Sequence, residues 1–286
     1  MRGGLALGNA GAEVFVPDGV APAEALARTT HMGIGAHPDD VEILALHGIL
    51  ECFGRGDRWF CGVVLADGAQ SPRGGAYAGL GDAAMREVRR REQRKAAVVG
   101  EYGAVVLLDY TSQGVKDASA RGVVSDLGTL LRAARPDVVF THNPADRHDT
   151  HVATALRVVE ACRGLPPQER PARLLGGEVW RDLDWMLDTD KVALDVQARE
   201  HLANALVSVF DSQIASGKRY DLATEGRRRA HATYQESHGL DATSALCLAM
   251  DLTPLLRDPA LDVAAFAGGF VERFAADVGA RIGRCR

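Results

Sequence analysis

The chain has 286 residues, 47% hydrophobic, 25% charged and 6% aromatic, with 31 glycines and 11 prolines. That globular profile excludes disorder, collagen-like repeats and low-complexity sequence, and length divided by about 150 allows one or two domains. A net charge of −5 excludes a global basic footprint for nucleic acid, so no nucleic-acid partner is expected.

Five scattered cysteines (Cys52, Cys61, Cys162, Cys247, Cys285) form no C-x-x-C pair. They make neither a disulfide framework nor a thiolate zinc site, and a reducing, cytoplasmic setting is expected. The apolar stretch within residues 1–11 is broken by glycine and too short for a secretory signal. No run reaches about 18 apolar residues, so no membrane span is expected.

Residues 1–29 read as an N-terminal arm, with a short strand at 14–16 closed by Pro17-Asp18-Gly19. A strand at 32–36 follows, then a helix over 41–53 with apolar residues at 43, 46, 50 and 53 and Gly54 as its stop. Residues 59–66 form a buried strand, and 67–82 a loop with five glycines. Asp82 caps a helix over 83–100. Strands at 105–110 and 138–141 flank a helix at 125–134, and a further helix spans 150–162. Strands at 174–180 and 191–196 precede a helix at 197–215 and a predominantly helical last third. This alternation predicts an α/β fold, a mostly parallel sheet with helices on both faces. One domain over 1–286 is the simplest division, comprising the arm, an α/β core over 30–196 and a helical C-terminal extension over 197–286.

In such sheets, ligands bind outside the carboxyl ends of the strands. His37-Pro38-Asp39-Asp40 sits at one such end and opens a helix. An N-cap accounts for one aspartate, but not for two together with a histidine. Packing these groups between two apolar runs is costly unless a cation neutralises them. A second cluster, Asn143-Pro144-Ala145-Asp146-Arg147-His148-Asp149-Thr150-His151, follows the strand at 138–141. Capping by Asp149 or Thr150 leaves its two histidines unexplained. Converging in a parallel sheet, the clusters offer His37, Asp40 and His151 as metal ligands, three donors with an open position as in catalytic zinc sites. Asp39 is then free beside the metal as a general base.

The segment Ala36-His37-Pro38-Asp39-Asp40, with the second cluster, resembles the signature of the LmbE-like, or PIG-L, family of zinc-dependent de-N-acetylases, over roughly residues 30–215. The resemblance implies a Rossmann-like fold and removal of an N-acetyl or small N-acyl group from an amino sugar or related small molecule. It makes His37, Asp40 and His151 the ligands of Zn2+, and Asp39 the general base. His148 becomes the group that stabilises the oxyanion, protonated, and a candidate proton donor to the leaving amine. Arg89 and Glu92 resemble the family's Arg-x-x-Glu helix near the substrate pocket, although Arg89-Arg90-Arg91 also reads as a solvated helix face.

One departure concerns the second motif. The family reads His-Pro-Asp-His, whereas Thr150 stands at the aspartate position here, so that the carboxylate orienting the histidine is Asp146, Asp149 or absent. The polar loop at 67–75 suggests a substrate rim, with Arg73 as a substrate-binding candidate. His142 ends a strand nearby. Iron(II), cobalt or manganese suits the same donors as zinc. Hydrolysis of another bond (ester, carbamate or other amide) and a non-catalytic sugar-binding protein are the alternatives. Self-association into a homo-oligomer fits the family, but no sequence feature specifies it.

Overall fold

The computed structural model describes residues 5–233 and 239–286. The first four residues of the expected arm and residues 234–238 of the expected extension lie outside the described residues. The arm supplies strand β1 (Glu13–Phe15) and helix α1 (Pro22–Ala27), which opens on a proline where no intrahelical N–H is needed. β2 (His31–Gly35), α2 (Asp40–Leu44), α3 (Leu46–Cys52) and β3 (Phe60–Ala66) follow. The helix expected over 41–53 is therefore two helices, interrupted at Ala45. Gly54, at φ +72°, takes the left-handed conformation that lets glycine end a helix.

The alternation continues through α4 (Asp82–Val99), β4 (Ala104–Tyr110), α5 (Ser112–Lys116), α6 (Gly122–Ala134), β5 (Val138–His142) and α7 (Asp149–Arg163). Gly81, not Asp82, is the N-cap of α4. β6 (Arg173–Gly177), β7 (Lys191–Asp195), α8 (Glu200–Ser208), α9 (Asp211–Ile214) and α10 (Tyr220–Ala232) come next. The helix expected at 197–215 is thus split into α8 and α9. β8 (Leu246–Asp251), α11 (Thr253–Arg257) and α12 (Val263–Arg284) complete the chain.

The strands form one eight-stranded sheet in the order β1-β4-β3-β2-β5-β6-β8-β7. β4, β3, β2, β5 and β6 are mutually parallel, β1 is antiparallel to β4, and β8 is antiparallel to both neighbours. The C-terminal region is helical as expected, but it also returns β8 to the sheet between β6 and β7. Leu246-Cys247-Leu248-Ala249-Met250 is a short apolar run, which periodicity alone does not separate from a buried helix.

Side-chain alternation along the strands builds a core on each face. Met32, Ile34, Val63, Leu65 and Val106 pack with Leu26, Leu127, Leu131 and Val158. On the other face Val64, Val105 and Leu107 pack with Val41, Leu44, Ile49 and Leu206. Gly33 and Gly35 let α2 lie close to β2: a Cβ at Gly35 would stand 2.9 Å from Asp40 Cβ, and one at Gly33 2.9 Å from Ala45 Cβ. After β2 the chain builds outward to β3 and β4, then crosses to place β5 on the other side of β2. The order reverses between β2 and β5, and the crevice beyond their carboxyl ends is where this architecture binds ligands.

Candidate metal centre and catalytic cleft

The two clusters meet in that crevice. Asp40 Oδ2 lies 3.4 Å from His37 Nδ1 and 3.4 Å from His151 Nε2. The two imidazole nitrogens are 3.3 Å apart. Ligands about 2.0–2.1 Å from a tetrahedral ion stand roughly 3.3–3.4 Å from one another, so the three donors have the spacing of one tetrahedral face. The donor chemistry fits as well. Burial pushes His151 down to about 4, which keeps it a neutral ligand at pH 7. Burial alone would raise Asp40, but the His151 and His142 imidazoles beside it hold it well below the usual carboxylate range.

A second group, His142, Asp146 and His151, also has its donor atoms close together. It is fully buried and several of its atoms are engaged, although His142 Nδ1 and His151 Nδ1 have no hydrogen-bond partner among the described residues. His142 Nε2 accepts from Ala36 N at 3.0 Å and lies 3.2 Å from Asp40 Oδ2. Asp146 Oδ1 accepts from His148 N (2.9 Å), and Oδ2 accepts from Trp180 N (3.0 Å). The first group is the one that opens on the cleft, a space of about 560 Å³ whose lining includes His37, Asp39, Asp40, His148, Trp180 and Tyr220.

Asp39 occupies a strained turn, with φ 99° and ψ −27°. A non-glycine residue there costs of order 1–3 kcal/mol, which the surroundings must offset. They do so with named bonds: Gln93 Oε1 accepts from Asp39 N at 3.2 Å, and Arg89 donates to Asp39 Oδ2 at 2.6 Å and to Pro38 O. Burial raises the Asp39 carboxyl to about 6, against the pull of Arg89. Arg89 itself is 1% exposed and also donates to Glu92 Oε2 at 2.8 Å. Glu92 in turn accepts from Ser212 N and Oγ. Arg89 therefore lines the cleft as the clamp on Asp39, not as a solvated helix face.

His148 is the N-cap of α7. Its Nδ1 accepts from Thr150 N at 3.3 Å, which assigns the ring proton to Nε2. Burial and the neighbouring His37 hold its pKa below 6.5. The neutral ring, rather than the protonated form expected, is thus the state the site favours. Asp146 supports the second turn: its Oδ1 lies 3.5 Å from His151 Nδ1, and burial is outweighed by its bonds to His151 and to His148 N, which hold it at about 2. Among the described residues no carboxylate bonds the His148 ring. Asp149 is exposed in the first turn of α7. Arg73 is bonded to Ala69 O and Asp82.

Two residues carry more than their sequence context suggested. His142 is fully buried, stacked on His151 with ring centres 3.9 Å apart. Trp180, just beyond β6, lies 6.3 Å from the His148 ring. Both follow the strand-end rule that located the two motifs.

The chain is similar to several proteins of solved structure. The conserved protein TT1542 from Thermus thermophilus is 21% identical, with a TM-score of 0.60 over 82% of this chain and 99% of that one. The N,N'-diacetylchitobiose deacetylase from Pyrococcus horikoshii is 18% identical, with a TM-score of 0.59 over 77% and 83%. GalB, the 4-carboxy-2-hydroxymuconate hydratase from Pseudomonas putida, is 16% identical, with a TM-score of 0.59 over 78% and 96%. At these identities the likeness establishes a shared fold. No curated protein sequence matches the chain. Residues 32–162, which include both motifs, match the family described as PIG-L: GlcNAc-PI de-N-acetylase. Over those residues the chain is a domain of the PIG-L (LmbE-like) family.

Proposed function

We propose that the protein is a metal-dependent amide hydrolase that removes an N-acetyl or small N-acyl group from an amino sugar or related small molecule. The observation that carries this reading is a buried, clamped carboxylate, Asp39, directly beside a three-donor tetrahedral face that opens on a cleft. The family match over 32–162 supports it. The fold alone does not select the reaction, since it also carries a hydratase.

His37, Asp40 and His151 would hold the ion, and two nitrogens with one oxygen suit Zn2+. A divalent cation there supplies Lewis acidity, making water more acidic and an amide carbonyl more electrophilic. Asp39 accepts the proton of the attacking water; Arg89 occupies its Oδ2 and leaves Oδ1 for that task. His148 donates from Nε2 to the oxygen that becomes negative as the carbon turns tetrahedral. Asp39 then returns the proton to the leaving nitrogen, so that amide and water become carboxylate and amine. Asp146 and His142 keep the rings of His151 and its neighbours in place.

The direct test measures acetate release from a panel of N-acetylated amino sugars by protein loaded with Zn2+, with and without chelator. Release that requires metal supports the reading. Metal-loaded protein that frees no carboxylate from any N-acyl substrate removes it.

A further inference from the structure

We propose that the cleft contains an anion-recognition subsite around Trp180, so that the preferred substrate carries a phosphate or carboxylate besides its N-acyl group. This rests on the hydrolase reading above. Lys116, Arg147, Lys218 and Arg227 all line the cleft, whereas among the described residues its only lining carboxylates are Asp39 and Asp40. Both of those are committed, one to Arg89 and the other to the three imidazoles. None of the four cations has an ion-pair partner among the described residues.

Three of them gather at one place. The Arg147 guanidinium lies 5.3 Å, and the Lys218 ammonium 4.8 Å, from the Trp180 ring centre. Arg227 donates to the carbonyl of the adjacent Val179 at 2.6 Å. Like charges assembled in a concave site, in a chain of net charge −5, repel one another unless an anion joins them. Trp180 is 6.3 Å from the His148 ring, so the subsite sits about one ring away from the reacting amide.

The experiment compares kcat/KM for N-acetylglucosamine, its 6-phosphate and a carboxylate-bearing N-acetyl amino sugar. At least about a tenfold preference for one anionic substrate is expected, from charge-assisted bonds. Lys218→Gln and Arg227→Gln should collapse that ratio, as should high salt. Calorimetric binding of glucosamine 6-phosphate and of inorganic phosphate to Asp39→Asn protein provides an arm independent of turnover. Lys218-dependent binding without acetate release from any substrate upholds the subsite and removes the hydrolase reading. Equal kcat/KM on neutral and anionic substrates, with the variants lowering both alike, overturns the subsite and leaves that reading standing.

A second inference rests on α12 alone. Beyond Phe270 this helix is largely exposed, yet Val271, Phe274, Val278 and Ile282 are apolar and 51%, 38%, 39% and 49% exposed. With Cys285 they form a seam symmetric about Val278, at offsets of −7, −4, 0, +4 and +7. Such a seam matches itself when a second helix runs antiparallel. The geometry points to two copies of this chain pairing their α12 helices about a two-fold axis at Val278. Phe274 then packs against the partner's Ile282, and Val271 against the partner's Cys285. The part of α12 beyond Phe270 is short enough that a free helix of its length is marginal in water, which is a reason for it to be covered.

Sedimentation should give twice the mass of one chain, and Val278→Asp should return it to one. Oxidised Val271→Cys protein should form dimers through Cys285, while the unmodified chain should not link to itself through Cys285. A monomer at high micromolar concentration, a dimer untouched by Val278→Asp, or a Cys285–Cys285 link, which requires parallel helices, overturns the pairing.

Discussion

The turn after β2 and the turn after β5 face each other across the cleft, and burial acts on them in opposite directions. The first turn is rich in carboxylates: Asp39 and Asp40 in the turn and Glu42 just behind it, all buried. The second is rich in imidazoles, with His142 and His151 buried and His148 at the rim. Burial penalises charge whatever its sign, so it raises Asp39 and Glu42 to about 6 and about 7 and lowers His151 to about 4. The exceptions are Asp40 and Asp146, the carboxylates of these two turns that touch imidazoles, and both are lowered. Contact with an imidazole, across the turns for Asp40 and within the second turn for Asp146, keeps these two acids charged well below the pH at which Asp39 takes up a proton. The carboxylate away from the imidazoles is the one poised to exchange a proton.

The largest test of that contrast is Asp39→Asn. It keeps the shape of the turn but removes the proton acceptor, so kcat should fall by about 100- to 10,000-fold with metal content unchanged. The unaltered protein should lose activity as pH falls through about 6, because Asp39 takes up its proton there, and the residual activity of the variant should lack that limb. A pH–rate profile of both proteins checks the pair of expectations. His148→Ala comes next. Loss of one oxyanion donor should lower kcat by about 100- to 1,000-fold. Because the neutral ring does the donating, the unaltered rate should not decline as pH rises from 6 to 8. A decline there would mean that the protonated ring is the working form.

How far the sequence reveals each turn follows from where its supports come from. His37, Asp39 and Asp40 are consecutive with their turn, and their types alone state the chemistry. His148 and His151 are legible for the same reason, and so is the alternation of strands and helices, which local apolar periodicity sets. The supports are not local. Arg89 reaches Asp39 across 50 residues, and Asp146 binds the backbone of Trp180 across 34. Nothing in Arg89-Arg90-Arg91 distinguishes the buried arginine from its neighbours except the i,i+3 spacing to Glu92. Thr150, in place of an aspartate, raised the question of which carboxylate orients the histidine. The His148 ring answers by accepting a backbone N–H, while Asp146 turns to His151. β8 escaped because a strand filling a slot between β6 and β7 is defined by partners distant in sequence.

Asp146→Ala sharpens the comparison on the imidazole side. It withdraws the acceptor for His148 N, Trp180 N and Arg181 N and leaves His151 Nδ1 without its carboxylate. Metal affinity should drop about 10- to 100-fold, as for other outer partners of a ligating histidine. Titration with Zn2+ in a competing chelator measures this. Asp149→Ala, at an exposed neighbour, should leave the affinity alone, and equal losses from both would deny Asp146 its special place.

The smallest expected effect on activity belongs to Glu42, whose pH signature isolates the carboxylate side. Its Oε1 accepts from Gln93 Nε2 at 2.7 Å and from Tyr102 Oη at 2.8 Å, and its Oε2 has no hydrogen-bond partner among the described residues. Burial raises it from the ordinary 4.5 to about 7. The folded protein therefore holds this proton more tightly than the unfolded chain. The resulting stability is complete below about pH 4.5 and is lost as pH rises through about 7. Over that window the loss is about 3 kcal/mol at about 1.4 kcal/mol per unit. Glu42→Gln keeps a carbonyl for both donors and has no proton to lose. The Tm of the variant relative to the unaltered protein should therefore climb by several degrees between pH 4.5 and 7.5 and then level off. A Tm difference that stays flat over that range would mean that Glu42 is solvated in the folded state, and that in the first turn burial suppresses charge at Asp39 alone.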